Sequence, residues 1–298
     1  MAMSKTVLYL LGQKGYQVLS AAVMGGYKDL ITLVVVGRDK NVQQDFSREI
    51  ISLCEKYDLK HCASNDTLSI LGEPSSLIAI AAGWRWLIKE AFCQVIVFHD
   101  SLLPKYRGFN PLITSLLNRD PKTGVTALIA NKDFDCGDII DQKPITLKYP
   151  VKISEAIDAI SKLYFELAQS IFSRIRQVDV FEGETQDDRK ASYSVWRDEE
   201  DYRIDWTRSA DSIAHFVDCV SFPYKGASAL YKNGLIRILE ATTVPDVQIV
   251  NRDFGKVIFM TENKPIVICG VGLLRIEAAV DDEGNSVLPF EHFRTRLK

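Results

Sequence analysis

"VIVFHDSLLPKYRGFNP", Val95 to Pro111, opens as an apolar, β-branched run and stops abruptly on a histidine and an aspartate. A run of that kind reads as a strand buried in a sheet. Working outward from it, Val7–Leu11, Ile31–Val36 and Leu77–Ala81 have the same texture, and helical patterns over Val42–Lys56 and Trp84–Phe92 lie between them. Alternation of this kind predicts an α/β fold, a Rossmann-like open parallel sheet wrapped by helices. Ligands of such sheets bind beyond the carboxyl ends of the strands. His99 stands at one of those ends.

A further strand, Val125–Ala130, leads into "NKDFDCGD", and a long helix from Ser154 to about Gln177 closes the first unit. The texture then changes. "EGETQDDRKASYSVWRDEED", Glu182–Asp201, is polar and heavily charged, as an exposed connection between domains would be. Beyond it come a helical segment, Ser209–Val220, and short strands at Ala227–Tyr231, Ile236–Glu240, Gly255–Thr261, Pro265–Ile268 and Leu273–Ala278. Regularly spaced short strands predict a small β-barrel or sandwich, with an OB-like barrel the expected form. The expected division is residues 1–181 for the first domain, 182–203 for the linker and 204–298 for the C-terminal domain.

With 298 residues, 47% of them hydrophobic, the chain can bury a large core. Its apolar N-terminal run is far too short for a membrane span and carries no signal-peptide pattern, so a cytoplasmic protein is expected. The six cysteines, Cys54, Cys62, Cys93, Cys136, Cys219 and Cys269, form no CxxC pair and suit neither a zinc site nor a disulfide scaffold. A net charge of -3 gives no overall pull toward nucleic acid or an anionic membrane.

"GQKG", Gly12–Gly15, follows the first strand and is not GxGxxG. It reads either as a strand-to-helix turn or as a weak anion site at a helix start. His99 alone would read as a structural histidine. The balance shifts with the acidic loop "DFDCGD", which brings Asp133, Asp135 and Asp138 to the expected end of another strand. An imidazole and a carboxylate at one sheet edge can form a proton-transfer pair near neutral pH.

"HDSLLPKYRGFNPL" followed by "DPKTGVTALIANKDFDCGDII" resembles the 10-formyltetrahydrofolate-dependent formyltransferase family, which includes methionyl-tRNA, glycinamide ribonucleotide and sugar-nucleotide formyltransferases. The resemblance extends through "IDWTRSADSIAHF" and "FPYKGASALY" to the C-terminal barrel of several members. It implies that His99 and Asp135 are the catalytic pair, that 10-formyltetrahydrofolate is the formyl donor, and that no metal is required. It also implies a folate pocket at Trp86, Leu87 and Ile88, with Asp133 and Asp138 beside it and Leu102, Leu103 and Pro104 lining the channel for the formyl group. The alternative is that both tryptophans of "GWRW" pack in the core, a reading of equal weight for Trp84. One position departs from the pattern: the family asparagine two residues before the histidine is Val97 here. Valine donates no hydrogen bond, and one missing oxyanion donor costs about 3 kcal/mol, roughly a hundredfold in rate. Protonated His99, a loop N–H or a bound water are the candidate substitutes.

For the acceptor, an amino-sugar nucleotide is favoured over methionyl-tRNA, because the chain offers no basic surface for a tRNA backbone. "KYRGF" supplies what a sugar nucleotide needs, a guanidinium and aromatic surface. Tyr106, Arg107, Gly108 and Phe109, with Asn131, are the substrate-side candidates. A tRNA formyltransferase and a folate- or nucleotide-binding homologue impaired at Val97 are the alternatives. The short-stranded C-terminal domain has edges that would suit a homodimer.

Overall fold

The computed structural model describes residues 5–40, 42–63, 74–89, 91–232 and 234–298. Its first unit is built on β1 (Thr6–Leu10), α1 (Gly12–Met24), β2 (Ile31–Val36), α2 (Ser47–Lys56), β3 (His61–Ala63), β4 (Ile78–Ala82) and β5 (Gln94–His99). These five strands run parallel in the order β3-β2-β1-β4-β5. Every residue of β1 and β4 is buried, as expected of apolar runs covered on both faces. On one face Leu8, Leu10, Ile80, Ile96 and Phe98 share a core with Val18 and Leu19 of α1 and with Ile160, Leu167 and Ile171 of α4 (Ile153–Ile175). On the other, Val7, Tyr9, Leu33, Val35, Ala79 and Ala81 lie under Trp84, Ile88, Phe92, Val95 and Val97.

That second cover is not the expected helix. The described residues from Trp84 to Phe92 are irregular, and residue 90 lies outside the described set. Gly83 turns the chain there at φ 65, where an added Cβ would stand 2.4 Å from the Leu11 carbonyl oxygen. Trp84 then packs edge-on against Tyr9 (5.1 Å between ring centroids) and Trp86 (4.8 Å), so the aromatic rings hold the segment on the sheet without helical hydrogen bonds. Helix α2 likewise starts five residues later than its apolar pattern does, because Phe46 is left-handed (φ 55) and the Gln43 amide is spent on the Pro223 carbonyl, 2.9 Å away.

After β5 come β6 (Arg107–Gly108), α3 (Pro111–Leu117), β7 (Lys122–Ile129) and β8 (Ile139–Thr146). The parallel expectation fails here, since β7 and β8 extend the sheet as an antiparallel pair. Strand β8 escaped sequence reading because it is a half-exposed edge strand carrying Pro144, which is tolerated only at such an edge.

The second unit places α5 (Ala210–Val220) against a five-stranded antiparallel sheet in the order β10-β11-β14-β13-β12, formed by Ala227–Tyr231, Gly234–Val244, Leu273–Asp281, Lys264–Ile268 and Val257–Thr261 respectively. Residues 295–298 join its two edges. Lys298 exchanges backbone hydrogen bonds with Leu230 of β10 (2.6 and 3.1 Å), while Thr295 O accepts from Val257 N of β12 (2.9 Å). The sheet is thereby rolled toward a barrel, which removes its open edges. The connector between the units is not a free tether. Glu184 pairs with Ile139, β9 (Tyr193–Ser194) pairs with β6, and Gln186 and Ser194 are buried.

Candidate active site

His99 is the last residue of β5, with its ring 7% exposed. Its Nε2 lies 2.8 Å from the carbonyl oxygen of Tyr106, and its Nδ1 lies 3.5 Å from Asp135 Oδ1. The first contact is a good hydrogen bond; the second is an ion-pair distance. A carbonyl can only accept, so Nε2 carries a proton and Nδ1 is the nitrogen left to exchange one.

Asp135 reaches His99 by an unexpected route. His99 is opposite Thr126, and β7 runs antiparallel to β5, so the loop after Ile129 begins at the far end of that pairing. The two groups do not meet because two strands end at one edge. Instead the loop folds back, with Gly137 packed so tightly that a Cβ would stand 1.7 Å from the Ile129 carbonyl oxygen. Asp135 itself is left-handed (φ 55), a conformation short polar residues tolerate best. Its Oδ2 accepts the Gly108 N–H at 2.9 Å, leaving Oδ1 toward the imidazole.

The loop from Asp100 to Asn110 is cross-braced. Asp100 pairs with Lys14 of α1 and accepts from the Tyr164 hydroxyl at 2.6 Å, so "GQKG", the first turn of α1, supplies a half-buried charge partner to this loop. Thr126 Oγ1 donates to Ser101 O (2.6 Å) and accepts from Leu103 N (3.2 Å) and Gln142 Nε2 (2.8 Å). Tyr106 and Asn110 are left-handed, and Gly108 has φ 96. Four positive-φ residues, counting Asp135, thus concentrate around one imidazole, where backbone strain is commonly functional.

Several expected ligand residues face elsewhere. Arg107 is 2% exposed; its guanidinium binds Gln186 Oε1 through Nε (3.0 Å) and Nη2 (2.9 Å), and Asp188 Oδ1 through Nη2 (2.8 Å). Such a group is a brace and not an open phosphate anchor. Tyr106 is also buried, its hydroxyl accepting from Asn118 Nδ2 at 2.9 Å, which corrects its placement as substrate surface. Leu103 is buried too, so it packs the loop and does not line an open channel. Phe109 is exposed and packs on the exposed Phe134 (5.7 Å between centroids), and Asn131 and Asp133 are exposed on the folded-back loop. Among the folate candidates, Trp86 and Leu87 are exposed, Ile88 is tucked against the sheet, and Leu102, Pro104 and Asp138 are half-buried. Val97 sits in the apolar layer with Ala81, Trp84 and Ile88.

Sequence reading missed Gln186, Thr126 and Gln142. Thr126 could have been suspected as a polar residue in an expected strand beside the site, whereas Gln142 lies in β8, which sequence reading missed. Gln186 sits in a charged stretch without periodicity and gives no signal. Among the described residues no group of three or more His, Cys, Asp or Glu is placed to hold a metal ion, and no helix is long and apolar enough to cross a membrane.

Residues 10–174 match the formyl transferase family, and residues 197–296 match the formyl transferase C-terminal domain. The chain belongs to the formyl transferase family. It is 29% identical over 168 residues to the methionyl-tRNA formyltransferase of Halothermothrix orenii, covering 55% of this chain and about half, 52%, of that relative's length. The fold is similar to the N-formyltransferase from Helicobacter canadensis in complex with folinic acid and dTDP-3-aminofucose (TM-score 0.66, 16% identity, 92% of this chain and 99% of that one). It is also similar to HypX from Aquifex aeolicus in complex with tetrahydrofolic acid (TM-score 0.62, 13% identity, 96% and 46%). At these identities the structural likeness is one of fold.

Proposed function

We propose that this protein transfers a formyl group from 10-formyltetrahydrofolate to the amine of a nucleotide-linked amino sugar. The observation that carries the reading is His99, held at Nε2 by the Tyr106 carbonyl and facing Asp135 through Nδ1 at the carboxyl end of an open sheet. The residues present fit a reduced folate. Trp86 and Leu87 expose apolar surface beside this edge, and Trp84 Nε1 is a buried donor with no hydrogen-bond partner among the described residues.

The donor supplies an activated formyl carbon; the chain's own groups manage the proton and the charge. As the acceptor nitrogen bonds to that carbon, His99 Nδ1 takes the amine proton, and Asp135 Oδ1 stabilises the imidazolium. The same proton is then available to the departing folate nitrogen when its bond to the carbon breaks. Val97 offers no donor to the formyl oxygen, and protonated His99 is our candidate for stabilising the charge developing there.

Support for the sugar-nucleotide acceptor comes from the Helicobacter canadensis protein, which overlays on nearly the full length of both chains. The exposed pair Phe109 and Phe134 supplies apolar surface next to the catalytic loops. Methionyl-tRNA is the second reading, favoured by the sequence relative from Halothermothrix orenii. Incubation with 10-formyltetrahydrofolate and either dTDP-linked amino sugars or methionyl-tRNA separates them: tetrahydrofolate release with the sugars alone supports the first, and release with methionyl-tRNA alone replaces it.

A further inference from the structure

Gln186 belongs to the connector, in a stretch that neither family match covers: one ends at residue 174 and the other begins at 197. Its side chain is 8% exposed, and every polar site on it is spent. Nε2 donates to the backbone carbonyls of Asp135 (2.8 Å) and Gly137 (2.7 Å), while Oε1 accepts twice from Arg107. Arg107 is in turn anchored on the connector by Asp188 and by its own N–H, which donates to Ser192 O at 2.8 Å. The next residue, Gly108, gives its N–H to the Asp135 carboxylate.

These contacts form a closed circuit through three segments. Asp135 is bound to the His99 loop through Gly108, the His99 loop to the connector through Arg107, and the connector back to the Asp135 backbone through Gln186. Asp135 holds a left-handed conformation that an isolated chain would abandon readily, and only two of the residues flanking its carbonyl region, Asp135 and Gly137, offer the acceptors that Gln186 occupies. A short polar side chain in such a backbone swings its carboxylate away when the constraint is released.

We infer that Gln186, locked by Arg107, is a positioning residue for the formyl transfer proposed above: it fixes the Asp135 backbone so that Oδ1 faces His99 Nδ1. Neither Gln186 nor Arg107 touches the reacting atoms. Their effect is felt in the step that needs the carboxylate beside the imidazole, and not in the binding of either ligand. Misplacement of a catalytic group by about 1 Å can cost up to about a hundredfold in rate.

Gln186→Glu is the discriminating variant. It keeps the shape and an acceptor for Arg107 but removes both donors to the loop; Gln186→Ala removes everything. Formyl transfer is measured with saturating and limiting substrates, and the ring resonances of His99 are followed by NMR in protein labelled at histidine. Both variants should lose about tenfold or more in kcat with KM for donor and acceptor within about twofold. The His99 ring resonances should move in both variants, because the carboxylate beside Nδ1 has swung away. Unchanged kcat together with unchanged His99 resonances in either variant would overturn the assignment. The ring resonances read the clamp directly, so they decide even if the unmodified protein transfers no formyl group, a result that would count against the proposed function alone.

Discussion

The Nε2 of His99 is held 2.8 Å from the carbonyl oxygen of Tyr106, which commits that nitrogen and leaves Nδ1 as the one that faces Asp135. In the proposed reaction proton exchange runs through Nδ1, within reach of a carboxylate that is itself fixed by the Gly108 N–H.

Asp135→Asn tests this geometry. The amide keeps the volume and can still accept from Gly108, but it cannot stabilise an imidazolium. Turnover should fall by about a hundredfold or more with the thermal midpoint little changed, checked by steady-state kinetics beside calorimetry.

Arg107→Ala should behave as a structural lesion. Removing a buried guanidinium strands the buried Gln186 oxygen, at a cost of about 1–3 kcal/mol, while the exposed Asp188 carboxylate is left to water. The thermal midpoint and turnover should drop, and the affinities for folate and acceptor should both stay within about twofold. A selective loss of acceptor binding without loss of stability would return Arg107 to a phosphate-binding role.

Val97→Asn places an amide in the apolar layer formed by Ala81, Trp84 and Ile88, where the amide N–H groups meet aliphatic and aromatic side chains. An unsatisfied buried amide costs about 1–3 kcal/mol, so stability should fall and turnover should stay flat or decline. A large rise in turnover would mean that the missing donor had been limiting.

Alkaline pH offers a separate check on the fold. Tyr164 is fully buried, and burial followed by the neighbouring Asp100 charge pushes its hydroxyl well above the ordinary value of 10.0; burial pushes Tyr149 up to about 12. The folded chain keeps these protons at pH values where the unfolded chain releases them. Their contribution is complete below pH 10 and is lost as pH rises toward about 12. The thermal midpoint should decline steadily through that window, and Tyr164→Phe should flatten the decline while lowering the midpoint at pH 8 by breaking the bonds to Phe98 O and Asp100.

The parallel half of the sheet was legible because β1 and β4 are buried throughout and β2 and β5 carry apolar, β-branched runs. His99 and Asp135 were legible through motif. What was hidden depends on long-range pairing. The segment from Trp84 to Phe92 has the spacing of a helix, yet its described residues are irregular, and Tyr9 packs on Trp84 and Trp84 on Trp86. Strand β8 reads as a polar loop because its outer edge is open. The direction of Arg107 cannot be read from "KYRGF", since its partners Gln186 and Asp188 lie about eighty positions further along the chain.

The most direct test compares the unmodified protein with His99→Ala in tetrahydrofolate release from 10-formyltetrahydrofolate in the presence of a dTDP-linked amino sugar. The geometry predicts release and a formylated sugar with the unmodified protein, and a loss of at least about a hundredfold with His99→Ala at unchanged fold. Equal rates for the two proteins would contradict a catalytic His99, and no release by the unmodified protein with amino sugar or methionyl-tRNA would contradict formyl transfer to either acceptor.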